Sequence, residues 1–516
     1  MFFCAGEIFF RIGFDIFLPI WYTTVCNLSY GTDVNPVLTG VWSFGAARLF
    51  FAEEIMEQKN NFLAEAPVGK LLVKFAVPCV LSLLVSALYN IVDQIFIGQS
   101  VGYLGNAATN VVYPFTVVAL AVALLIGDGA AALFSLSLGR GDTKTGNRCA
   151  WIALIVSLAA GVLLTVVGYV AFDPVLRLFG VTTDSYTYAA DYFFVILMGI
   201  PFYVLTSGLN GMIRADGAPA YAMVSTVVGA VINLILDPVA VFALKWGVTG
   251  AAIATVVGQV ASCALSCAYL FRARLFRLHR EDARFNLSDL WRVFRLGLSS
   301  FITQISIVVI IAVANNMIGI VGPSSEYGVD IPLAVIGIVM KVFGIVISFA
   351  VGIAVGGQPI VGYNYGSGNF ARVRKTYRLI LLSNVVVGAV ATLLFELFPQ
   401  YITLIFGSES DLYNEYACLC FRIFLGGILF CCVQKASSIF LQSVGRAVKA
   451  TLLSVSRDVL FLVPLVVWFA LSFGVTGLLW AAPAADVLAF LLTVVLVLFE
   501  LRRMRRMESA SAEAAK

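Results

Sequence analysis

The sequence predicts an all-α polytopic membrane protein with twelve transmembrane helices in two six-helix lobes. Of its 516 residues, 61% are hydrophobic and only 12% are charged, which is too apolar for an ordinary soluble domain. The chain divides into apolar segments of about 20 to 26 residues, each long enough to cross a hydrocarbon core of about 30 Å. Short strings of residues also recur at a constant offset, which indicates two related halves.

The predicted spans are separated by short polar connections. They cover residues 71–95, 111–137, 150–171, 190–211, 220–243, 248–270, 297–320, 331–355, 377–398, 416–441, 450–472 and 475–499. Little chain remains outside them, so there is no room for a separate ATPase or a large soluble domain. No GlyXXXXGlyLys(Ser/Thr) string for nucleotide binding occurs.

Lysine and arginine residues fall almost entirely in alternate connections. These residues are Arg140, Lys144 and Arg148; Arg214; the basic run 272–295; Arg372, Arg374, Lys375 and Arg378; Arg446 and Lys449; and Arg502, Arg503, Arg505 and Arg506. The other connections hold Arg177 and Lys245. Because basic loops stay in the cytoplasm, we expect a multi-pass protein of the cytoplasmic (inner) membrane, with both ends of the twelve-helix unit in the cytoplasm.

Three pairs of strings share an offset of 227 residues. LeuGlyArgGlyAsp at 138–142 matches TyrGlySerGlyAsn at 365–369, PheGly at 179–180 matches 406–407, and GlyValThrGly at 247–250 matches 474–477. Six spans are an even number, so both halves have the same orientation and are related by a pseudo-two-fold axis along the membrane normal. Such an arrangement predicts a cleft between two lobes.

The chain is predicted to have five parts. They are an atypical N-terminal extension at 1–55, a first lobe at 56–271, a cytoplasmic basic linker at 272–295, a second lobe at 296–500 and a cytoplasmic tail at 501–516. The extension carries Glu7, Arg11 and Asp15, each of which costs about 2.5 to 3.5 kcal/mol at the centre of a span. We expect an over-long start or a dispensable segment. An intact mass of the native protein that includes residues 1–55 would exclude the first explanation.

Two acids in the first lobe lie at bilayer depth, where ionisable residues are costly and usually functional. Asp93 and Asp237 are about 33 and 26 Å along spans that begin on the same side, at about 1.5 Å per residue. Four-residue spacing places Tyr89 and Asn233 on the faces of these acids, and Thr255 in the sixth span reaches a similar depth. The five side chains predict a proton or cation site. The alternative is a structural hydrogen-bond cluster with neutral carboxyl groups.

Several motifs give the chain a resemblance to a known family. They are TyrAsnIleValAspGlnIlePheIleGly at 89–98, LeuGlyArgGlyAsp at 138–142, ArgAlaAspGlyAlaPro at 214–219, AsnLeuIleLeuAspPro at 233–238, GlyValThrGlyAlaAlaIleAlaThr at 247–255 and GlnProIleValGlyTyrAsnTyrGly at 358–366. Across residues 62 to 500 the chain resembles the multidrug and toxic compound extrusion (MATE) family, in its prokaryotic multidrug-exporter branch.

The resemblance implies roles for particular residues. In the family, two acids with a Tyr, an Asn and a Thr form a cation-coupling network in the first lobe, and these positions hold Asp93, Asp237, Tyr89, Asn233 and Thr255. Pro78 resembles the proline at which the family's first helix bends, since proline removes one backbone hydrogen bond.

The second lobe departs from this pattern. The repeat counterparts of Asp93 and Asp237 fall near Ala314 and Pro464, and Gln304 stands where sodium-coupled relatives carry Glu. We therefore expect coupling through the first lobe, to H⁺ in preference to Na⁺. The residues expected at the substrate cavity are Asp128, Gln304, Lys341 and Gln434.

The sequence leaves the roles of several intramembrane charged residues open. Asp128 either receives a cationic substrate or pairs with a nearby Lys or Arg. Lys341 and Lys435 would repel cationic substrates, and the sequence assigns them no role. Arg457 beside Asp458 is expected to be an interfacial or lobe-anchoring group.

We therefore predict a secondary active antiporter for antibiotic-type, amphipathic and mostly cationic compounds, acting as a monomer without cofactor, metal or nucleic acid. A flippase of a lipid or lipid-linked saccharide is the alternative, because related families share the two-lobe plan and Lys341 and Lys435 would suit an anionic head group. An enzymatic function is disfavoured, because the sole histidine is His279 in the linker. Neither the metalloprotease string HisGluXXHis nor the serine-hydrolase string GlyXSerXGly occurs. A channel is also disfavoured, because a two-lobe repeat is more typical of a transporter that works by alternating access.

Overall fold

The computed structural model describes residues 62–278, 280–283, 286–406 and 410–514. The predicted extension 1–55 and His279 lie outside these residues. Within them, every regular element is a helix. The prediction of an all-α membrane protein is therefore confirmed.

The first lobe consists of six long helices. They are α1 Val68–Val101, α2 Tyr103–Gly139, α3 Thr143–Val170, α4 Tyr186–Ala215, α5 Pro219–Pro238 and α6 Gly247–Leu270. A π-helical turn, Val239–Ala243, continues α5. Each helix is apolar along most of its length, as a segment in contact with lipid and with its neighbours requires.

The second lobe contains the remaining helices and two irregularities. They begin with α7 Leu287–Val321, α8 Asp330–Gly366 and α9 Phe370–Leu397. The next, α10, is broken into Asp411–Phe424 and Ile428–Ser443, which meet at 46°. After it, α11 starts as Ala447–Val455, passes through a π-helical turn at Ser456–Leu462 and continues into the helix Val463–Ala514.

The number of spans agrees with the predicted twelve. Among the described residues ten helices are long and apolar enough to cross a membrane, or eleven if the two parts of α10 form one span. One of these, Ala447–Ala510, has 64 residues and would be about 96 Å long, at about 1.5 Å per residue. It is interrupted by Gly474, whose φ of 72° is not helical. We therefore divide it into α11 before Gly474 and α12 after it.

The sequence repeat corresponds to a repeated backbone turn. Gly141 and Gly368 have φ values of 75° and 79°, a left-handed conformation that glycine adopts without strain. The residue after each one caps the next helix: Asp142 accepts a hydrogen bond from Thr145 N, and Asn369 accepts one from Arg372 N. The hydrogen bonds from Thr145 hold the pKa of Asp142 below its ordinary value. The recurring strings at 138–142 and 365–369 thus encode the same helix-turn-helix connection in both lobes.

The linker is held against the first lobe. A carboxylate in the connection between α4 and α5, Asp216, is fully buried and accepts hydrogen bonds from the backbone N–H groups of Arg274 and Leu275 and from the hydroxyl of Tyr269. Burial raises the pKa of Asp216 to about 6, although these hydrogen bonds act in the opposite direction. The last part of the predicted linker is helical, because α7 already begins at Leu287.

The lobes meet through α1 against α8 and α2 against α7, the pairing that a pseudo-two-fold axis requires. At two contacts a glycine lets the backbones touch. A Cβ atom at Gly297 of α7 would lie 1.8 Å from the carbonyl oxygen of Leu125, and one at Gly356 of α8 would lie 2.6 Å from Cα of Ala76. These contacts lie toward the end of the bundle that carries most of the Lys and Arg residues, which we call the basic end.

Candidate functional site

Two acids from separate helices meet inside the first lobe. Asp93 lies on α1 and Asp237 at the end of α5, and their carboxyl groups are close enough to interact. Asp93 is 8% exposed and Asp237 is 1% exposed. Two carboxylates cannot easily both carry charge at so buried a place, because no cationic side chain of the described residues pairs with either of them.

A hydrogen-bonded amide connects this acid pair to the sixth helix. The Nδ2 group of Asn233 donates to Oδ1 of Asp237 over 3.1 Å and lies 3.2 Å from Oγ1 of Thr255 on α6. The i to i+4 spacing on α5 brings Asn233 and Asp237 together, as the sequence predicts. Tyr89 is half-buried one turn before Asp93, and within the described part of the chain it makes no hydrogen bond to either acid.

One oxygen of each carboxyl group has no donor. Asp93 Oδ1 and Asp237 Oδ2 are both buried and accept no hydrogen bond from the described residues. Buried polar atoms are nearly always paired, so two orphaned oxygens in one pocket call for an explanation. A proton shared by the carboxyl groups, or a small cation bound between them, would satisfy both.

The backbone beside this pair is irregular. Pro238 follows Asp237 directly, and the π-helical turn Val239–Ala243 begins immediately after it. Proline lacks a backbone N–H, so the helix cannot continue its regular bonding there. Single π-helical turns are frequent at functional sites. The other proline of interest, Pro78, lies inside α1, which is assigned as one helix from Val68 to Val101; its role as a bending point stays a prediction.

Asp128 is paired with other protein groups. It lies on α2 and accepts hydrogen bonds from Arg214 Nη2 of α4 at 3.3 Å and from Ser300 Oγ of α7 at 2.9 Å. Ser300 also lies 3.3 Å from Nε2 of Gln442 on α10. Of the two interpretations open from the sequence, the structure shows the pairing with an arginine. Asp128 thereby joins the two lobes.

Four charged side chains form a buried network in the second lobe. Lys435 Nζ lies 2.7 Å from Oδ2 of Asp458, and Arg457 Nη1 lies 2.7 Å from the other oxygen of that carboxylate. Arg457 Nε also lies 2.8 Å from Oδ1 of Asp486. Its guanidinium group stands 5.6 Å from the ring centroid of Phe343, within cation–π range.

The sequence leaves Arg457 and Asp458 as an interfacial or a lobe-anchoring group, and the structure favours the second, because their ion pairs join helices of the second lobe. Both side chains are buried in the lobe interior and not at its surface. They lie on the π-helical turn Ser456–Leu462 of α11 and line a cavity of about 50 Å³ together with Lys435 and Asp486. The two cations face two carboxylates, so the lining has no net charge.

The other residues predicted to line a substrate cavity are Gln304, Lys341 and Gln434, and this role stays a prediction. Gln304 is half-buried on α7, and Lys341 is exposed on α8 and forms no ion pair with the described residues. Gln434 is fully buried on α10, where its Nε2 donates to the carbonyl oxygen of Leu453 over 2.7 Å. Gln434 therefore bonds α10 to α11.

Sequence reasoning missed Asp486 and the partners of Asp128. Asp486 is the single acid in the apolar segment 475–499. The principle that ionisable residues at bilayer depth are usually functional, which identified Asp93, would also have identified Asp486. Ser300 and Arg214 carry no comparable signal. A serine near a helix end and an arginine in a basic loop are common, and only the docking of the lobes brings them to Asp128.

A family profile and a characterised relative both match this chain across its two lobes. The MatE family profile matches residues 78–239 and 299–468, one block in each lobe. The chain is 23% identical to the multidrug export protein MepA of Staphylococcus aureus (strain MSSA476) over 442 residues, which cover 86% of this chain and 96% of that protein.

Solved structures share the fold. A MATE protein in complex with MaL6 has a TM-score of 0.81 and 22% identity, with 87% of this chain and 100% of that chain covered. The outward-facing conformation of a multidrug resistance MATE family transporter has a TM-score of 0.80, with the same identity and coverage. The fold described above is thus shared with solved structures of MATE proteins.

Proposed function

Because this chain belongs to the MatE family of multidrug efflux transporters, we propose that it is a secondary active antiporter that exports amphipathic, mostly cationic compounds in exchange for protons. It is a multi-pass membrane transporter and not an enzyme. The observation that carries the antiport proposal is the pair Asp93 and Asp237, whose facing carboxyl groups each keep one buried oxygen without a donor.

Proton exchange at this pair would work by alternating access. When the pocket opens to one side, the shared proton can leave; when it opens to the other, a proton returns. Asn233, which also contacts Thr255, would keep Asp237 in place through both steps, because an amide can donate to a protonated as well as to an ionised carboxyl group. Na⁺ is the alternative ion, since carboxylate, amide and hydroxyl oxygens also suit a hard cation.

The driving force is sufficient for export. For an uncharged substrate, one proton moving down a membrane potential of about 150 mV releases about 3.4 kcal/mol, at about 2.3 kcal/mol per 100 mV, which supports a substrate gradient of about 300-fold. A singly charged cation exported for one proton moves no net charge, so its export draws on the pH difference or on a second proton. No nucleotide hydrolysis is needed.

The distribution of basic residues supports the orientation. With the basic end in the cytoplasm, both ends of the twelve-helix unit are cytoplasmic and the glycine contacts between the lobes close the cytoplasmic side. The structure would then be an outward-facing arrangement in the cytoplasmic membrane. We propose that one chain suffices for transport, because each chain contains both lobes.

Ethidium efflux from vesicles of defined orientation tests the proposal. Wild-type protein, Asp93→Asn and Asp237→Asn are compared under an imposed proton gradient and then under a sodium gradient. We expect wild-type efflux to follow the proton gradient and both variants to fall to the level of protein-free vesicles. Asp191→Asn is the matched control, because Asp191 is an exposed acid of the same lobe. Normal efflux by both acid-pair variants would contradict the coupling site.

The buried cations of the second lobe favour one second candidate, a flippase for a lipid or lipid-linked saccharide. Lys435 and Arg457 could receive a phosphate group if Asp458 and Asp486 were displaced or neutralised. We rank this function lower, because the two carboxylates already balance both cations. A wild-type protein that moves no cationic dye under either gradient, but moves a fluorescent anionic lipid across the vesicle, would reverse the ranking.

A further inference from the structure

A cleft of about 520 Å³ lies at the basic end, where α2 of the first lobe meets α7 and the connection between α10 and α11 of the second. Its volume falls within the range of about 300 to 1,000 Å³ typical of small-molecule sites. The basic side chains that line it are Arg140, Arg292, Arg295, Arg446, Lys449 and Arg503. Neither the acid pair nor the ion network of the second lobe is part of this cleft.

Three of these cations are held in position by protein partners. Glu500, which is fully buried, accepts Arg446 Nε at 2.8 Å on one oxygen and Lys449 Nζ at 2.7 Å on the other. Arg292 pairs with Asp289 over 3.3 Å. Since Asp289 also pairs with Arg148 outside the cleft, the carboxylates present do not balance the cleft's charge.

The other three cations have no counter-charge among the described residues. Arg140 ends α2, Arg295 lies in the early turns of α7, and Arg503 lies near the end of α12. Each side chain is exposed, and none forms an ion pair with a described residue. Guanidinium groups that converge on one cleft from both lobes repel one another unless an anion lies between them.

The surroundings of the cleft favour a lipid over a soluble anion. Its walls include the apolar side chains of Leu133, Leu136 and Val448. Val448 is 68% exposed, and Leu452, one helical turn further along α11, is 44% exposed. These two side chains continue the cleft along a lipid-facing helix surface, so an acyl chain could leave the cleft toward the bilayer while its head group stays inside.

We propose that this cleft binds the phosphate head group of an anionic phospholipid. Arg140, Arg295 and Arg503 would contact the phosphate oxygens, because guanidinium donors match phosphate in geometry and charge. The paired cations Arg446 and Lys449 would add to the positive field without moving. Basic pockets between helices at the cytoplasmic membrane surface are suited to such head groups.

The lipid would also act on conformation. The cleft exists only while both lobes contribute to it, so a lipid bound there stabilises the arrangement in which the lobes meet at the basic end. A ligand shifts such an equilibrium by its difference in affinity for the two arrangements. The lipid content of the membrane would therefore set how readily this end opens.

Lipid titration of the purified full-length protein tests the site. Phosphatidylglycerol and phosphatidylcholine with the same acyl chains are added in turn, and bound lipid is counted by native mass spectrometry alongside the unfolding temperature. The test variant combines Arg140→Gln, Arg295→Gln and Arg503→Gln. The matched control combines Lys144→Gln, Lys375→Gln and Arg502→Gln, which remove three exposed cations that do not line the cleft.

We expect phosphatidylglycerol, and not phosphatidylcholine, to bind and to raise the unfolding temperature of wild type and control. The test variant should bind about a hundredfold more weakly, since each cation near an anionic head group contributes about fivefold. Arg→Lys substitutions at the same three positions should keep most of the binding, which separates lost charge from misfolding.

Three results would overturn the proposal. The first is equal phosphatidylglycerol binding by the test variant and wild type, and the second is equal stabilisation by the two lipids. The third concerns the source of the phosphate: if millimolar inorganic phosphate alone reproduces the stabilisation and lipid adds nothing, the cleft is a soluble-anion site. None of these readouts depends on transport, so they are independent of the antiport proposal.

Discussion

Asn233 is the side chain on which the position of Asp237 depends. It is nearly fully buried, and its amide contacts both the carboxylate and the hydroxyl of Thr255. Removal of a buried donor costs about 1–3 kcal/mol when its acceptor stays unpaired. The acid pair thus works as a unit with the amide, and not as two independent carboxyl groups.

Asn233→Ala should therefore change how transport depends on pH. Loss of the donor leaves Oδ1 of Asp237 without this partner in a buried site, so the pH at which efflux is half-maximal should differ from that of wild type. The measurement is ethidium efflux across a series of pH values at a constant pH difference. Asn316→Ala is the control, because Asn316 is exposed and its amide bonds only a carbonyl of its own helix. An unchanged profile would mean that the amide has no part in coupling.

Lys435 and Lys341 are two lysines of the same lobe with opposite surroundings. Lys435 is buried against Asp458 at 2.7 Å, whereas Lys341 is exposed and has no ion pair among the described residues. Breaking a buried pair is far more costly than removing an exposed charge.

We therefore expect Lys435→Ala to lower the free energy of unfolding by about 3–5 kcal/mol. Lys341→Ala should change it by no more than about 0.5 kcal/mol. Thermal unfolding of the detergent-purified variants makes the comparison directly. Similar unfolding temperatures for the two would show that the network does not stabilise the second lobe.

At the scale of the helix, the two π-helical turns are the main departures from regular structure. One follows Asp237 on α5, and the other carries Arg457 and Asp458 on α11. These helices are the fifth of each lobe, so both repeats place their buried charges beside the same kind of irregularity. A π-helical turn rotates the following side chains, which lets a long apolar helix direct single charged groups inward.

The helix contact between the lobes gives a test on α7. Gly297→Ala would place a Cβ atom 1.8 Å from the carbonyl oxygen of Leu125, so the helices must separate. We expect a loss of about 1–3 kcal/mol, as for other overpacked sites. Gly319→Ala on the same helix meets no atom within 4 Å and should be neutral or slightly stabilising. Unfolding temperature and monodispersity measure both. A stable Gly297→Ala variant would argue that the lobes are loosely docked.

At the scale of the whole molecule, the two lobes share a backbone but not a charge distribution. The first contains an acid pair without cationic partners, and the second contains two cations balanced by two carboxylates. Of these two buried clusters, the acid pair is the one that can exchange a proton without breaking a salt bridge. This asymmetry is consistent with ion coupling in the first lobe and a mainly stabilising role for the buried charges of the second lobe.

Asp128 offers a test of how the lobes move. Asp128→Ala removes the acceptor shared by Arg214 of the first lobe and Ser300 of the second. We expect the arrangement closed at the basic end to lose population, which would broaden and lengthen the distance between spin labels at exposed positions 144 and 375. Asp330→Ala is the control, since Asp330 is exposed in the first turn of α8. An unchanged distance distribution would restrict Asp128 to a local role.

The elements that were predictable are those encoded locally. The length and apolarity of each segment predict a span, and the glycine and cap residues at 141–142 and 368–369 predict the same turn in both lobes. The proximity of Asn233 and Asp237 follows from helical spacing alone. The helix ends were less predictable: α1 runs from Val68 to Val101 instead of 71–95, because helices continue beyond the hydrocarbon core where no residue stops them.

The sequence by itself therefore determined the twelve spans, the two-lobe repeat and the residues that could form the acid pair, because each follows from hydropathy or spacing along one helix. Only the tertiary structure decided that Asp128 meets Arg214 and Ser300, that Lys435 and Arg457 are balanced by Asp458 and Asp486, and that basic residues of both lobes converge on one cleft. The physical reason is that these contacts depend on how each helix is rotated and how the lobes dock. Apolar helix surfaces can pack in many orientations with similar free energy, so the sequence alone does not indicate which rotation and docking the helices adopt.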